Sequence, residues 1–251
     1  MSDFVYEKYE IMVRSAIDSG YHFSRFAEIP NDAARICLLR HDIDICLQPA
    51  LALAAKEAAL GVASTYFVML TSESYNCLSP NSRLILKDIL DMGHEIGLHF
   101  SKWTYQSTSP EIMTQENTLI GSIHHEIGIL EDLITHPVRA VSFHKPTMEY
   151  EGKLALPGLI NSYRKEDLGF DFYLSDSRMH FTGRKPEEVF KLKRYKKIQL
   201  LIHPMWWRPE GGTLEQRWLQ VLNDGLENVW QPLVSTEDTV LGWQKEPQVN
   251  W

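Results

Sequence analysis

The chain has 251 residues, 44% of them hydrophobic and 23% charged, a composition that can bury a sizeable core and fits one domain spanning residues 1–251. A formal net charge of −8 argues against nucleic acid or an anionic membrane surface as partner, because both demand a positive face. No run approaches 18 apolar residues, so no membrane span is expected. Residues 1–17 lack the basic start and long apolar core of an export signal, and a cytoplasmic location is expected. Cys37, Cys46 and Cys77 form neither an even framework nor a Cys-x-x-Cys pair, which reads as reduced thiols.

The apolar spacing of residues 3–17 predicts an amphipathic helix closed near Gly20. Alternation of strands and helices follows. A strand over 36–40 leads to a loop with two aspartates and to an alanine-rich helix over 49–60, with Pro49 in its first turn and Gly61 at its end. A β-branched and aromatic strand over 62–69 precedes a helix that Ser79-Pro80 caps and Gly93 closes. A strand over 94–99 leads to a long helix begun by Ser109-Pro110 and ending near Ile134, and a further strand covers 138–143. Residues 147–168 have weak periodicity and read as surface wrapping. A short strand over 170–174, a short helix over 186–191, a buried strand over 198–202 and a last helix to about Trp230, started by Thr213 and Gln216 as a capping box, complete the series. Residues 235–251 read as a polar tail. The basic run 191–197 is interleaved with Leu192 and Tyr195 and reads as a solvated face.

Strands and helices that alternate in this way build a parallel sheet, in an α/β barrel or a doubly wound arrangement. The chemistry-bearing residues fall in one place within it. Asp42 and Asp44, His99, His144, Asp176 and His203 each stand just past the C-terminal end of a separate predicted strand, and in parallel α/β folds those ends share one rim. Asp42 and Asp44 lie on one face of their strand, and two adjacent carboxylates repel unless a cation or a shared proton relieves them. His94 and His99, five apart, point to opposite faces roughly 16 Å from each other at about 3.3 Å per residue, so His99 belongs to the rim and His94 to the strand's lower end. His144 reads as a metal ligand or a hydrogen-bonded core residue. Asp176 reads as an orienting carboxylate or a turn residue, and His203 as a catalytic group or a histidine buried under a loop. Trp206 and Trp207 read as a sugar-stacking wall or as core, with Arg178 as a further substrate contact. His124 and His125 read as helix surface.

With these residues laid out, the chain from Ile36 to Trp207 resembles the NodB-homology polysaccharide deacetylases, carbohydrate esterase family 4. Leu39-Arg40-His41-Asp42-Ile43-Asp44 looks like the first family motif and Gly93-His94-Glu95-Ile96-Gly97-Leu98-His99 like the second. Ser142-Phe143-His144-Lys145-Pro146, Leu174-Ser175-Asp176-Ser177 and Leu200-Leu201-Ile202-His203 follow in family order. The resemblance implies a distorted (β/α)7-type barrel and a divalent metal, zinc. It also implies roles: Asp42 as catalytic base, Asp44 and His99 as metal ligands, His203 as general acid and Asp176 as its tuner. Lys145 would stand where an arginine usually pairs with the base. One position departs from the pattern, because four residues after His99, where the family carries a second histidine, stands Trp103. His144 is the best replacement ligand, since imidazole suits zinc, and His41, His22 and His180 are weaker ones.

The expected function is metal-dependent removal of an acyl group, most simply N-acetyl, from an amino sugar. The expected substrate is a nucleotide-linked or lipid-linked precursor of a surface polysaccharide. Hydrolysis of a non-sugar amide on the same scaffold is one alternative. A metal-free carbohydrate-binding module is the other, and Trp103 is the feature that favours it.

Overall fold

The apolar and β-branched runs form strands that the helices between them return to one end, so every strand pair among the described residues is parallel. The computed structural model describes residues 4–30, 34–106, 108–109, 111, 115–147, 150–181 and 183–241. In chain order the elements are α1 (Tyr6–Asp18), β1 (His22–Ser24), β2 (Ile36–Ile43), α2 (Gln48–Ala59), β3 (Thr65–Val68), α3 (Pro80–Asp91), β4 (Glu95–Phe100) and α4 (Glu116–Ile134). They continue with β5 (Ala140–Phe143), β6 (Ile160–Asn161), α5 (Lys165–Leu168), β7 (Phe172–Ser175), α6 (Pro186–Leu192), β8 (Lys197–Ile202) and α7 (Leu214–Leu241).

Seven strands lie in the order β6-β5-β4-β3-β2-β8-β7, and β1 pairs with the first half of β2. The sheet curls until its ends face each other, with no pairing between β6 and β7 among the described residues. Across the interior, Gln199 Nε2 on β8 donates to Ser162 O just past β6 (2.7 Å), and Arg40 Nη2 on β2 donates to Tyr163 Oη (2.7 Å). The result is a distorted (β/α)7 barrel with an open seam between β6 and β7.

The period of two sorts each strand's side chains. On β2, Cys37, Leu39 and Ile43 face the helices and join the outer apolar layers, while Leu38, Arg40 and Asp42 face inward. Phe26, Leu38, Phe67, Ala140 and Leu168 plug the lower end of the barrel. Gly97 on β4 faces that plug. A Cβ there would lie 2.6 Å from the Phe67 ring and 3.0 Å from Ala140 O, so the strand admits no side chain at this position.

Helix ends follow their local chemistry. Ser79 Oγ accepts from Ser82 N (3.2 Å), with Pro80 opening α3. Several expectations change. Two short strands, β1 and β6, were not anticipated, because three and two residues carry too little pattern to read. The long fourth helix begins at Glu116 rather than at Ser109-Pro110, and Pro110 lies outside the described residues. The last helix runs to Leu241, so residues 235–241 are helical rather than tail; residues 242–251 lie outside the described residues. All three cysteines are buried free thiols. No helix among the described residues is long and apolar enough to cross a membrane.

Candidate active site

The C-terminal ends of β2, β4, β5 and β8 converge on one cavity of about 960 Å³. Asp42, Asp44, His99, His144 and His203 all line it. Asp44 Oδ1 lies 3.0 Å from His99 Nε2 and 3.1 Å from His144 Nδ1, and the three donor atoms lie within 4.8 Å of one another. Two imidazoles and one carboxylate so arranged fit a divalent cation with room for further ligands. His144 reaches the cluster because the inward alternation Ala140, Ser142, His144 continues one residue past the end of β5.

Ser142 joins the two halves of the site. Its hydroxyl accepts from Arg40 Nη2 (2.6 Å), lies 3.2 Å from both Asp42 oxygens and 2.8 Å from His99 Nδ1. Its one proton goes to the carboxylate, an acceptor alone, so His99 Nδ1 must donate to it. That tautomer leaves the His99 Nε2 lone pair facing Asp44 and available to a metal.

Asp42 is held by a buried cation that the sequence reading did not assign. Arg40, two residues earlier on β2, donates from Nε to Oδ1 (2.8 Å) and from Nη2 to Oδ2 (2.7 Å), and its guanidinium stacks on Tyr163 (4.3 Å) above Phe67 (5.5 Å). Burial pushes the Asp42 pKa up, but Arg40 and then His99 outweigh it, and the net shift is downward. Asp42 is therefore ionised at neutral pH. The structure thus puts Arg40, and not the expected Lys145, against this carboxylate. Lys145 lines the cavity mouth but is exposed, because the chain leaves strand geometry there with a left-handed φ of 49°.

On the facing wall, His203 Nδ1 lies 2.6 Å from Asp176 Oδ1, and its Nε2 points to Asp44 Oδ2 (3.9 Å). Asp176 is fully buried and is fixed by the His203 backbone N–H (2.9 Å) and by Trp207 Nε1 (2.9 Å). Burial lowers the His203 pKa, but the Asp176 charge and hydrogen bond prevail and raise it to about 9. Asp44 is likewise pushed up by burial, yet His144 and His99 hold it well below the carboxylate range.

The other candidates divide. Trp206 lines the cavity, its ring edge-on to Trp218 (5.3 Å). Trp207, expected beside it, is instead 2% exposed and packs on Phe4 and Tyr9. The two are adjacent on a tight turn and cannot face the same way, so Trp207 supports Asp176 from the core. Arg178 stands at the mouth with a φ of 58°. Trp103 also lines the mouth, 44% exposed, its Nε1 3.4 Å from Lys145 O. His41 points away from the barrel interior to Glu57 (2.7 Å), His22 is exposed on β1, and His180 lines a separate hollow, so none of them joins the cluster. His94 bonds Ser64 Oγ (3.0 Å) and Ala54 O (3.0 Å) outside the barrel, as a structural residue would, and His124 and His125 are exposed on α4. Arg40, Ser142, Tyr163 and Gln199 escaped the sequence reading. The spacings Arg40-x-Asp42 and Ser142-x-His144 carry the signal that could have found the first two.

No family model matches the chain, and no curated protein is detectably similar to it. Solved structures with a similar chain path include the catalytic domain of a peptidoglycan N-acetylglucosamine deacetylase from Eubacterium rectale, at 14% identity and a TM-score of 0.48 over 80% of this chain and 88% of that one. A family 4 acetyl xylan esterase from Clostridium thermocellum, in complex with a cobalt ion, is similar at 15% identity and a TM-score of 0.42 over 77% and 84% of the two chains. A Streptococcus pyogenes deacetylase in complex with acetate is similar at 12% identity and a TM-score of 0.41 over 85% and 84%.

Proposed function

We propose that this chain is a divergent member of the NodB-homology deacetylases, a metal-dependent hydrolase that removes an acyl group, most simply N-acetyl, from an amino sugar. One observation carries the reading. Asp44, His99 and His144 bring three metal-donor atoms within 4.8 Å of one another, in a cavity that also holds an ionised carboxylate and a carboxylate-held histidine. His144 thereby supplies the ligand that Trp103 does not.

A divalent ion bound there, most simply zinc, would polarise the acyl carbonyl and acidify the attacking water. Asp42 takes the proton of that water, and Arg40 and Ser142 hold it in place. His203, protonated through its partnership with Asp176, gives the Nε2 proton to the departing amine nitrogen. Trp206 and Trp218 supply aromatic surface for the sugar, and Lys145, Lys165 and Arg178 offer cations at the mouth. Those cations suit the phosphates of a nucleotide-linked or lipid-linked sugar. The three buried free thiols suit a reducing compartment, which supports a cytoplasmic precursor of a surface polysaccharide as substrate.

Metal analysis and acid release test the reading together. Purified protein supplied with zinc is expected to hold about one ion per chain, with occupancy lost in Asp44→Ala and His144→Ala, and to release acetate from acetylated amino sugars. Asp42→Asn should keep the metal and lose the release. Wild-type protein that stays metal-free in excess zinc would sink the proposal and leave a binding module.

A further inference from the structure

The last helix, α7, has one face on the body of the protein and a second apolar face on water. Contacts settle the inner face. Arg217 is buried and donates from Nη2 to Phe4 O (3.1 Å), Val221 joins the apolar cluster of Trp206 and Trp207, and Asp224 pairs with Arg208. At about 100° per residue, Leu219, Leu222, Leu226 and Leu233 fall within roughly 60° of one another on the opposite side of the helix. Each of the four is more than half exposed. Their spacing of three, four and seven residues puts them at the a and d places of a heptad, and Asp224, at the f place between them, faces this chain's own body. Scattered exposed leucines need no account, but a continuous stripe of them marks an interaction surface.

The residues around the stripe define what covers it. From Trp218 to Leu241 the helix has no lysine or arginine, whereas a helix that lies on a membrane carries them along its polar face. The flanking e and g places include Trp218, Asn223, Gly225 and Trp230, none of them charged. A foreign helix is ordinarily chosen through charges at those places. Two copies of one chain with a net charge of −8 would repel if their flanks were acidic, and these flanks let them meet without that cost. Facing each other over about 21 Å, the rise from Leu219 to Leu233, two such stripes with their flanks bury on the order of 1,000 Å² in total, the floor for a specific interface.

We propose that this face of α7 packs against the same face of a second copy of the chain, forming a two-fold dimer. Trp218 stands at the edge of the stripe and also lines the active-site cavity, so the interface borders the mouth of that cavity. The dimer does not depend on the hydrolase reading.

Sedimentation equilibrium of the full chain tests it. An interface of this size suits a dissociation constant on the order of 1–10 µM, so the mass is expected to rise to twice the 29.0 kDa of the chain between about 1 and 100 µM. Leu222→Glu/Leu226→Glu places like charges against each other and should weaken pairing at least about 100-fold, with circular dichroism and melting temperature unchanged because both side chains are exposed. Leu222→Ser/Leu226→Ser serves the same purpose if that variant does not fold. Mixing the glutamate variant with Leu222→Lys/Leu226→Lys should restore the dimer mass, since opposite charges then face each other. Wild-type protein that stays monomeric at 100 µM, a dimer that survives the glutamate pair, or a mixture that remains monomeric would overturn the proposal. Binding to phosphatidylcholine vesicles by wild type but not by the glutamate variant would put a lipid surface in place of the second copy, and would overturn it too.

Discussion

Asp42 is the residue on which the charge balance of the site turns. It is 3% exposed and would cost several kcal/mol to bury as an ion without compensation. The bidentate Arg40 fork and the Ser142 hydroxyl provide that compensation. Arg40→Met leaves the carboxylate buried without its cation, and urea unfolding is expected to show a loss of about 3–5 kcal/mol. Ser142→Ala removes the group that sets the His99 tautomer, so chelator competition should show zinc affinity about 10- to 100-fold weaker with the fold intact. Both residues were legible in principle, since a period of two places Arg40 under Asp42 and Ser142 under His144. Lys145 was misread because a sequence does not show where a chain leaves strand geometry, and the left-handed turn at that residue carries its side chain outward.

Among the elements, β4 shows how closely the barrel wall and its plug are matched. Phe67 occupies the space that a side chain at Gly97 would need, and Arg40 rests above the same ring. Gly97→Ala is therefore expected to cost about 1–3 kcal/mol in thermal or urea unfolding, with part of the loss recovered in Gly97→Ala/Phe67→Leu. The motif around Gly97 was plain in the sequence, but the reason for its glycine was not, because Phe67 is thirty residues away. Helices with capping residues, such as α3, were read nearly to their ends. Strands β1 and β6 were not, since their pairing is decided by β2 and β5 rather than by their own pattern.

At the scale of the molecule, the helix layer outside the barrel carries its own titrating group. Glu126 on α4 is buried, receives the Tyr105 hydroxyl (2.6 Å) and has its second oxygen unpartnered among the described residues. Burial pushes its pKa up to about 7. The folded state thus holds the proton more tightly than the unfolded chain, so this stabilisation is fully present below the unfolded pKa of about 4.5 and is lost as pH rises through about 7. The loss is of order 3 kcal/mol. Glu126→Gln keeps a neutral hydrogen-bonding group there, and its melting temperature should exceed the wild-type value at pH 8 and nearly match it at pH 5. An equal difference at both pH values would show that Glu126 does not titrate in this range.

Strand and helix order, the rim position of Asp42, Asp44, His99, His144 and His203, and the break in the second motif at Trp103 were all determined by the sequence alone, because period and spacing are local properties. Tertiary structure decided which cation faces Asp42, which histidine stands beside Asp44 and His99, and that Trp207 supports Asp176 from the core. It also decided that the barrel stays open between β6 and β7. These outcomes depend on the curl of the sheet, which brings together side chains more than a hundred residues apart, as Arg40 with Tyr163, and no local pattern records that approach.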